Sequence, residues 1–196
     1  MIIGLSISDQ KIIRDMLALF EDIDRQTAAF AKESGLKCKS GCGACCTNPQ
    51  IETTVAEVMP LAAYLWSSGQ AVEPILATSS KGVCVFYRPD PQDASRGRCG
   101  IYPYRPGICR LFGFAARRDK HGKSVLVTCK IIKESQPQIC QGIQENSKDS
   151  LNAPMLSTYA CAVANIDPSQ GQMLLPINQA IRQAVEKVGY YLKIKQ

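Results

Sequence analysis

Four cysteines crowd into nine residues of this 196-residue chain: Cys38, Cys42, Cys45 and Cys46, interleaved with Gly41 and Gly43 and preceded by Gly35. Glycine permits positive φ, so a loop built on it can curl until several sulfurs meet. Bare thiols held that close oxidise readily, whereas a metal stabilises them as thiolates. A disulfide reading fits poorly, because adjacent cysteines such as Cys45 and Cys46 rarely bridge each other. Ten cysteines in 196 residues also fall below the density that marks small secreted disulfide scaffolds. The apolar start Met1–Leu5 breaks at Ser6 and is too short for a secretory leader. No run approaches the ~20 apolar residues of a membrane span. The expectation is a cytoplasmic protein with no membrane contact, in a compartment where clustered thiols serve metal or redox chemistry.

A second set of cysteines follows: Cys84, Cys99, Cys109, Cys129, Cys140 and Cys161. Cys99 and Cys109 bracket an aromatic turn, Cys99-Gly-Ile-Tyr-Pro-Tyr-Arg-Pro-Gly-Ile-Cys109-Arg. Pro106 is a suitable start for a short helix, with Cys109 on its first turn where the local field favours a thiolate. Cys129 ends a strand candidate. Cys140 and Cys161 read as small buried hydrophobes. The expected metal ligands are therefore Cys38, Cys42, Cys45, Cys46, Cys84, Cys99, Cys109 and Cys129. They would fill two four-cysteine sites, or one cluster with spare thiols. Zinc ribbons present two C-x2-C knuckles, and only Cys42 and Cys45 make such a pair here. Iron–sulfur sites accept less regular spacing, which favours an iron–sulfur cluster of the 4Fe-4S type over zinc. The spacing Cys38-x3-Cys42-x2-Cys45 also occurs in radical enzymes using S-adenosylmethionine, but those need a partial βα barrel that this chain is too short and too helical to form.

Cys42-Gly43-Ala44-Cys45-Cys46, then Cys84 before an aromatic, then Cys99-x-Ile101-Tyr102-x-x-Arg105-Pro106-x-x-Cys109-Arg110 together resemble the YkgJ-type cysteine-cluster family. The resemblance spans Cys38 to Cys129, and Leu175-Pro176 looks family-like too. It implies zinc or iron chelation and names no reaction. One departure is Phe112-Gly113 where Phe-Pro is usual, which leaves the cysteines untouched. Flagellin-lysine methylases are similar in the cysteine motif alone, which implies an iron–sulfur-dependent modifying enzyme as an alternative. Whether the chain is an enzyme stays open, and no catalytic residue is identified.

The remaining pattern predicts one domain over residues 1–196. Its fold class is mainly α with a small β-hairpin, helices surrounding an irregular cysteine-rich core. An amphipathic helix runs over 9–34, with Ile12, Ile13, Met16, Leu17, Leu19, Phe20, Ile23 and Phe30 on its apolar side, Ser8 as its cap and Gly35 as its stop. The cysteine core covers 36–130 and C-terminal helices 150–195. Thr54-x-x-Glu57 signals a capped helix towards Ser68, in conflict with Pro60, which would kink it or mark its true start. Strand candidates are 83–87, 112–117 and 124–129, the last two joined at a turn around Gly122. Helices are expected at 153–166 and 177–192, the second entered through Pro176.

Net charge is +6, yet Arg96–Lys133 alone carries ten Lys or Arg against Asp119. That segment would offset an anionic thiolate site, with Arg105 and Arg110 flanking Cys109, or would meet an acidic or nucleic-acid partner, with Tyr102, Tyr104, Phe112 and Phe114 available for stacking. Tyr102 and Tyr104 would otherwise pack over the cluster or stack on Arg105. His121, the only histidine, reads as a solvated turn residue, which removes Ser–His and Cys–His hydrolase schemes.

Overall fold

A computed structural model of the chain describes residues 5–70, 72–77, 82–93, 96–146 and 151–194. The apolar start at 1–4 and the ends of the expected 150–195 segment lie outside them.

The expected amphipathic segment forms helix α1 (Ile7–Ser34), with Met16, Phe20, Ile23, Thr27 and Phe30 buried at steps of four and three. Its cap is Ser6, not Ser8: the Ser6 Oγ accepts from Asp9 N–H at 3.0 Å. Gly35 ends it in the left-handed conformation (φ 75°) and donates its N–H to Ala31 O, as the sequence predicts. The next helices are α2 (Ala44–Thr47), α3 (Val55–Ser67) and α4 (Glu73–Leu76). Thr54 and Glu57 make the full reciprocal capping box, so α3 begins at Val55 and runs through Pro60. Pro60 deletes one backbone donor; burial of α3 on nearly every side, from Val55 to Leu65, holds the helix regardless. A helix apolar all round belongs in the core, and α3 lies between α1 and α9 (Ile177–Ile194). Trp66 Nε1 donates to Val185 O across that interface at 2.9 Å, with Gly189 directly beneath the indole.

Three small antiparallel pairs complete the middle. β1 (Glu52–Thr53) pairs with β6 (Leu175–Pro176), β2 (Tyr87–Pro89) with β3 (Gly97–Cys99), and β4 (Ala115–Arg118) with β5 (Ser124–Val127). The β4–β5 hairpin is the one expected, closed by Asp119, whose Oδ1 accepts from His121 and Lys123 N–H. The expected strand at 83–87 is displaced to β2. Asn178, at the start of α9, takes over the backbone there, accepting from Val85 N–H and donating to Val83 O, both at 3.0 Å. Further helices are α5 (Gly107–Leu111), α6 (Lys130–Ser135), α7 (Pro137–Asn146) and α8 (Leu156–Ile166). Pro106 caps α5 instead of sitting inside it, and α6–α7 is an addition to the expected elements. Among the described residues no helix is long and apolar enough to cross a membrane.

Candidate metal centre

The cysteine loop is tied down at both ends. Leu36 is fully buried, and the Gln136 side chain acts as a strand partner, accepting from Lys37 N–H at 2.9 Å and donating to Lys37 O at 2.7 Å. This ties the residue before Cys38 to the junction of α6 and α7. Gly43 turns the chain into α2 with φ 58°, and a Cβ there would stand 2.6 Å from the Tyr87 ring. The same ring lies over Gly97, where a Cβ would approach to 2.2 Å. Two side-chain-free residues thus let the cysteine loop lie flat on β3, with Cys42 bridged to Gly97 and Gly97 N–H donating to Gly41 O at 2.9 Å.

From α2 onward the backbone hands the cysteines to one another. Cys84 N–H donates to Cys46 O at 2.9 Å, Tyr87 N–H donates to Cys84 O at 2.8 Å, and Tyr87 faces Cys99 across β2–β3. Cys109 enters on α5, which is fixed by Glu57. The buried Glu57 carboxylate receives Thr53 Oγ, Thr54 N–H and Thr54 Oγ on one oxygen and Gly107 N–H, at 2.9 Å, on the other. The result is one group of five: Cys45, Cys46, Cys84, Cys99 and Cys109, all at the wall of the largest apolar cluster.

The Cys46 thiol is flanked by the sulfurs of Cys45 and Cys99; hydrogen bonding first to Cys45, then to Cys99, together with burial, pushes its titration up. That hydrogen bonding, assisted by the Arg105 guanidinium, lowers Cys45 to about 6 and Cys99 to about 7. Burial pushes Cys84 up to about 11 and raises Cys109 as well. Sulfurs whose titration is lowered therefore lie beside a cation, with further sulfurs in reach, as a soft-metal site needs.

Cys38 lies close to Cys42 and Cys129, forming a second group; burial first, then these sulfurs, pushes its thiol up to about 11. Cys129 caps α6, accepting from Ile132 N–H at 3.4 Å. Cys140 packs with Cys129 in the same hydrophobic cluster, whereas Cys161 is exposed on α8 and not the buried hydrophobe expected. Of the four clustered cysteines, Cys45 and Cys46 thus join β3 and α5, Cys38 lies near Cys129, and Cys42 stands between them on Gly97. Among the described residues no three Cys, His, Asp or Glu side chains stand ready in coordination geometry. The all-sulfur donor set fits zinc or iron, and uptake would release thiol protons and need the thiols to turn towards one another.

The basic segment splits too. Arg105 lies near Cys45 and Cys99, stacks on Tyr102, 3.6 Å from the ring centroid, and also pairs with Asp24 of α1 at 3.8 Å. Arg110 is turned to the same Asp24, a partner that nothing in the local sequence signals, and also donates to Pro103 O and Arg105 O. Tyr104 stacks on Tyr64, and Phe112 and Phe114 pack on the core. Of the aromatics expected to stack on bases, only Tyr102 stays exposed, and its face is covered by Arg105. His121 is exposed in its turn, as expected.

Comparison with protein-family models gives one match, over residues 37–161, to CxxCxxCC, described as "Putative zinc- or iron-chelating domain". The chain belongs to this family. Its CxxCxxCC domain takes in both thiol groups, together with Cys140 and Cys161, and leaves α1 and the whole of α9 outside. The YkgJ-type resemblance is consistent with that assignment. No curated protein and no solved structure matches the chain.

Proposed function

We propose that the CxxCxxCC domain holds its metal at Cys45, Cys46, Cys84, Cys99 and Cys109, with Cys38, Cys42 and Cys129 as a second thiol group beside it. The observation that carries this reading is the backbone chain that gathers these residues: Cys84 N–H donates to Cys46 O, and Tyr87, which faces Cys99 across β2–β3, donates its N–H to Cys84 O. These residues would hold an iron–sulfur cluster of the 4Fe-4S type, with zinc as the alternative. A cluster would supply one-electron chemistry or sensitivity to iron supply, its anionic charge offset by Arg105. Irregular ligand spacing, from segments far apart in sequence, supports the cluster over a zinc ribbon.

The deciding experiment is iron, sulfide and zinc analysis with a visible spectrum on protein purified without oxygen. A brown sample with matching iron and sulfide supports the cluster, and a colourless zinc-containing one the alternative. Metal far below stoichiometric after anaerobic reconstitution overturns both. Single Cys→Ser changes at Cys45, Cys99 or Cys109 should remove most of the metal, and changes at Cys140 or Cys161 little. Equal loss at all ten positions would reject the ligand set.

A further inference from the structure

A cavity of about 630 Å³ opens between α1, α5 and α8. No cysteine lines it, so a ligand bound there would be independent of the metal. Its floor is apolar and buried: Phe20 of α1, Leu111 of α5 and Val163 of α8. Volume and lining match those of sites for drug-sized molecules. The rim is polar and carries one sign of charge. Asn48, Gln50 and Gln172 surround Glu52, and among the described residues lining the cavity there is no Lys, Arg or His. The other carboxylate, Glu57, already accepts four hydrogen bonds, which leaves exposed Glu52 as the charge a ligand meets. Beside the mouth Met173 and Leu174 are 57% and 60% exposed, an apolar lip along the entrance.

We propose that this cavity binds an amphipathic amine, its apolar body between α1, α5 and α8 and its ammonium at Glu52 and the rim amides. An ammonium presents three donors and no acceptor, which suits a rim of one carboxylate and side-chain carbonyls. An anionic head would instead meet uncompensated negative charge. A straight twelve-carbon chain fits the volume.

The test uses the full-length, metal-loaded protein and the neutral fluorophore N-phenyl-1-naphthylamine, displaced by dodecylamine, dodecanol and dodecanoate below their micelle concentrations. Dodecylamine should displace it most strongly, at least about tenfold better than dodecanoate, combining a modest attraction with the opposite repulsion. Glu52→Lys, an exposed substitution, should reverse that order. Ala160→Trp, which fills the mouth from an exposed position on α8, should weaken all three and the fluorophore at least tenfold, with metal content unchanged. Equal displacement by the three compounds, or fluorophore binding unaltered in Ala160→Trp, overturns the proposal.

Discussion

Glu57 shows what one side chain can decide. The Thr54-x-x-Glu57 pattern is legible in the sequence as a helix cap, and a cap it is. Its second oxygen, holding Gly107 N–H fifty residues away, is not legible, because nothing near Gly107 announces a missing acceptor. Glutamine at this position has a single acceptor oxygen where four donors converge, so its amide faces at least one of them. Glu57→Gln should cost about 2 kcal/mol, the scale of a buried donor left unpaired, seen as a lower urea midpoint at unchanged m-value. A change under about 0.5 kcal/mol would mean the α5 link is dispensable. The thiols make a second prediction at this scale. In metal-free, reduced protein, Cys45 (about 6) is largely thiolate at pH 7, while Cys84 (about 11) is not. Iodoacetamide should modify Cys45 first, at a rate that falls as pH drops through about 6. Peptide mass spectrometry at pH 5, 7 and 9 checks this, and equal labelling of Cys45 and Cys84 at pH 7 would contradict it.

At the scale of elements, legibility followed how local the cause was. The α1 stripe, its glycine stop, the β4–β5 turn and the entrance to α9 all rest on neighbouring residues, and all were readable. The strand expected at 83–87 was lost to Asn178, more than ninety residues downstream, whose amide replaces a strand partner. The division of the cysteines was hidden for the same reason. Spacing says that Cys42 and Cys45 are close; it does not say that Gln136 draws one end of their loop to α6 while Tyr87 and Gly97 hold the other on β3. The α3–α9 interface offers a direct test. Trp66→Phe keeps most of the apolar contact and removes the hydrogen bond to Val185 O, so about 1 kcal/mol should be lost. Gly189→Ala should cost more, because its Cβ would stand 2.4 Å from the indole and the packed interface has to give. Thermal unfolding of the two variants, compared side by side, would expose an inverted order.

At the scale of the molecule, the metal and the helices have separate tasks. α1, α3 and α9 bury most of the apolar core, in which Cys46 and Cys84 are the only proposed ligands among the buried members described, whereas the segments 38–46 and 84–109 carry most of the thiols and little regular structure. Removing the metal with a chelator should therefore free the amides of those two segments to exchange while α3 and the middle of α9 stay protected. Hydrogen-exchange mass spectrometry resolves the two, and uniform loss across the chain would instead tie the helical core to the metal.

The flat contact between the Cys42 loop and Gly97 has a consequence in time. Cys46 leaves the ribosome 63 residues before Cys109, about 3–13 s at ordinary elongation rates of about 5–20 residues per second. For most of that interval the first four thiols have neither β3 to lie on nor Arg105 to offset their charge. Cys129 follows 20 residues later still. The completed centre is thus a late event in synthesis, and any metal captured by the early thiols has to be exchanged or kept when the second half of the site arrives.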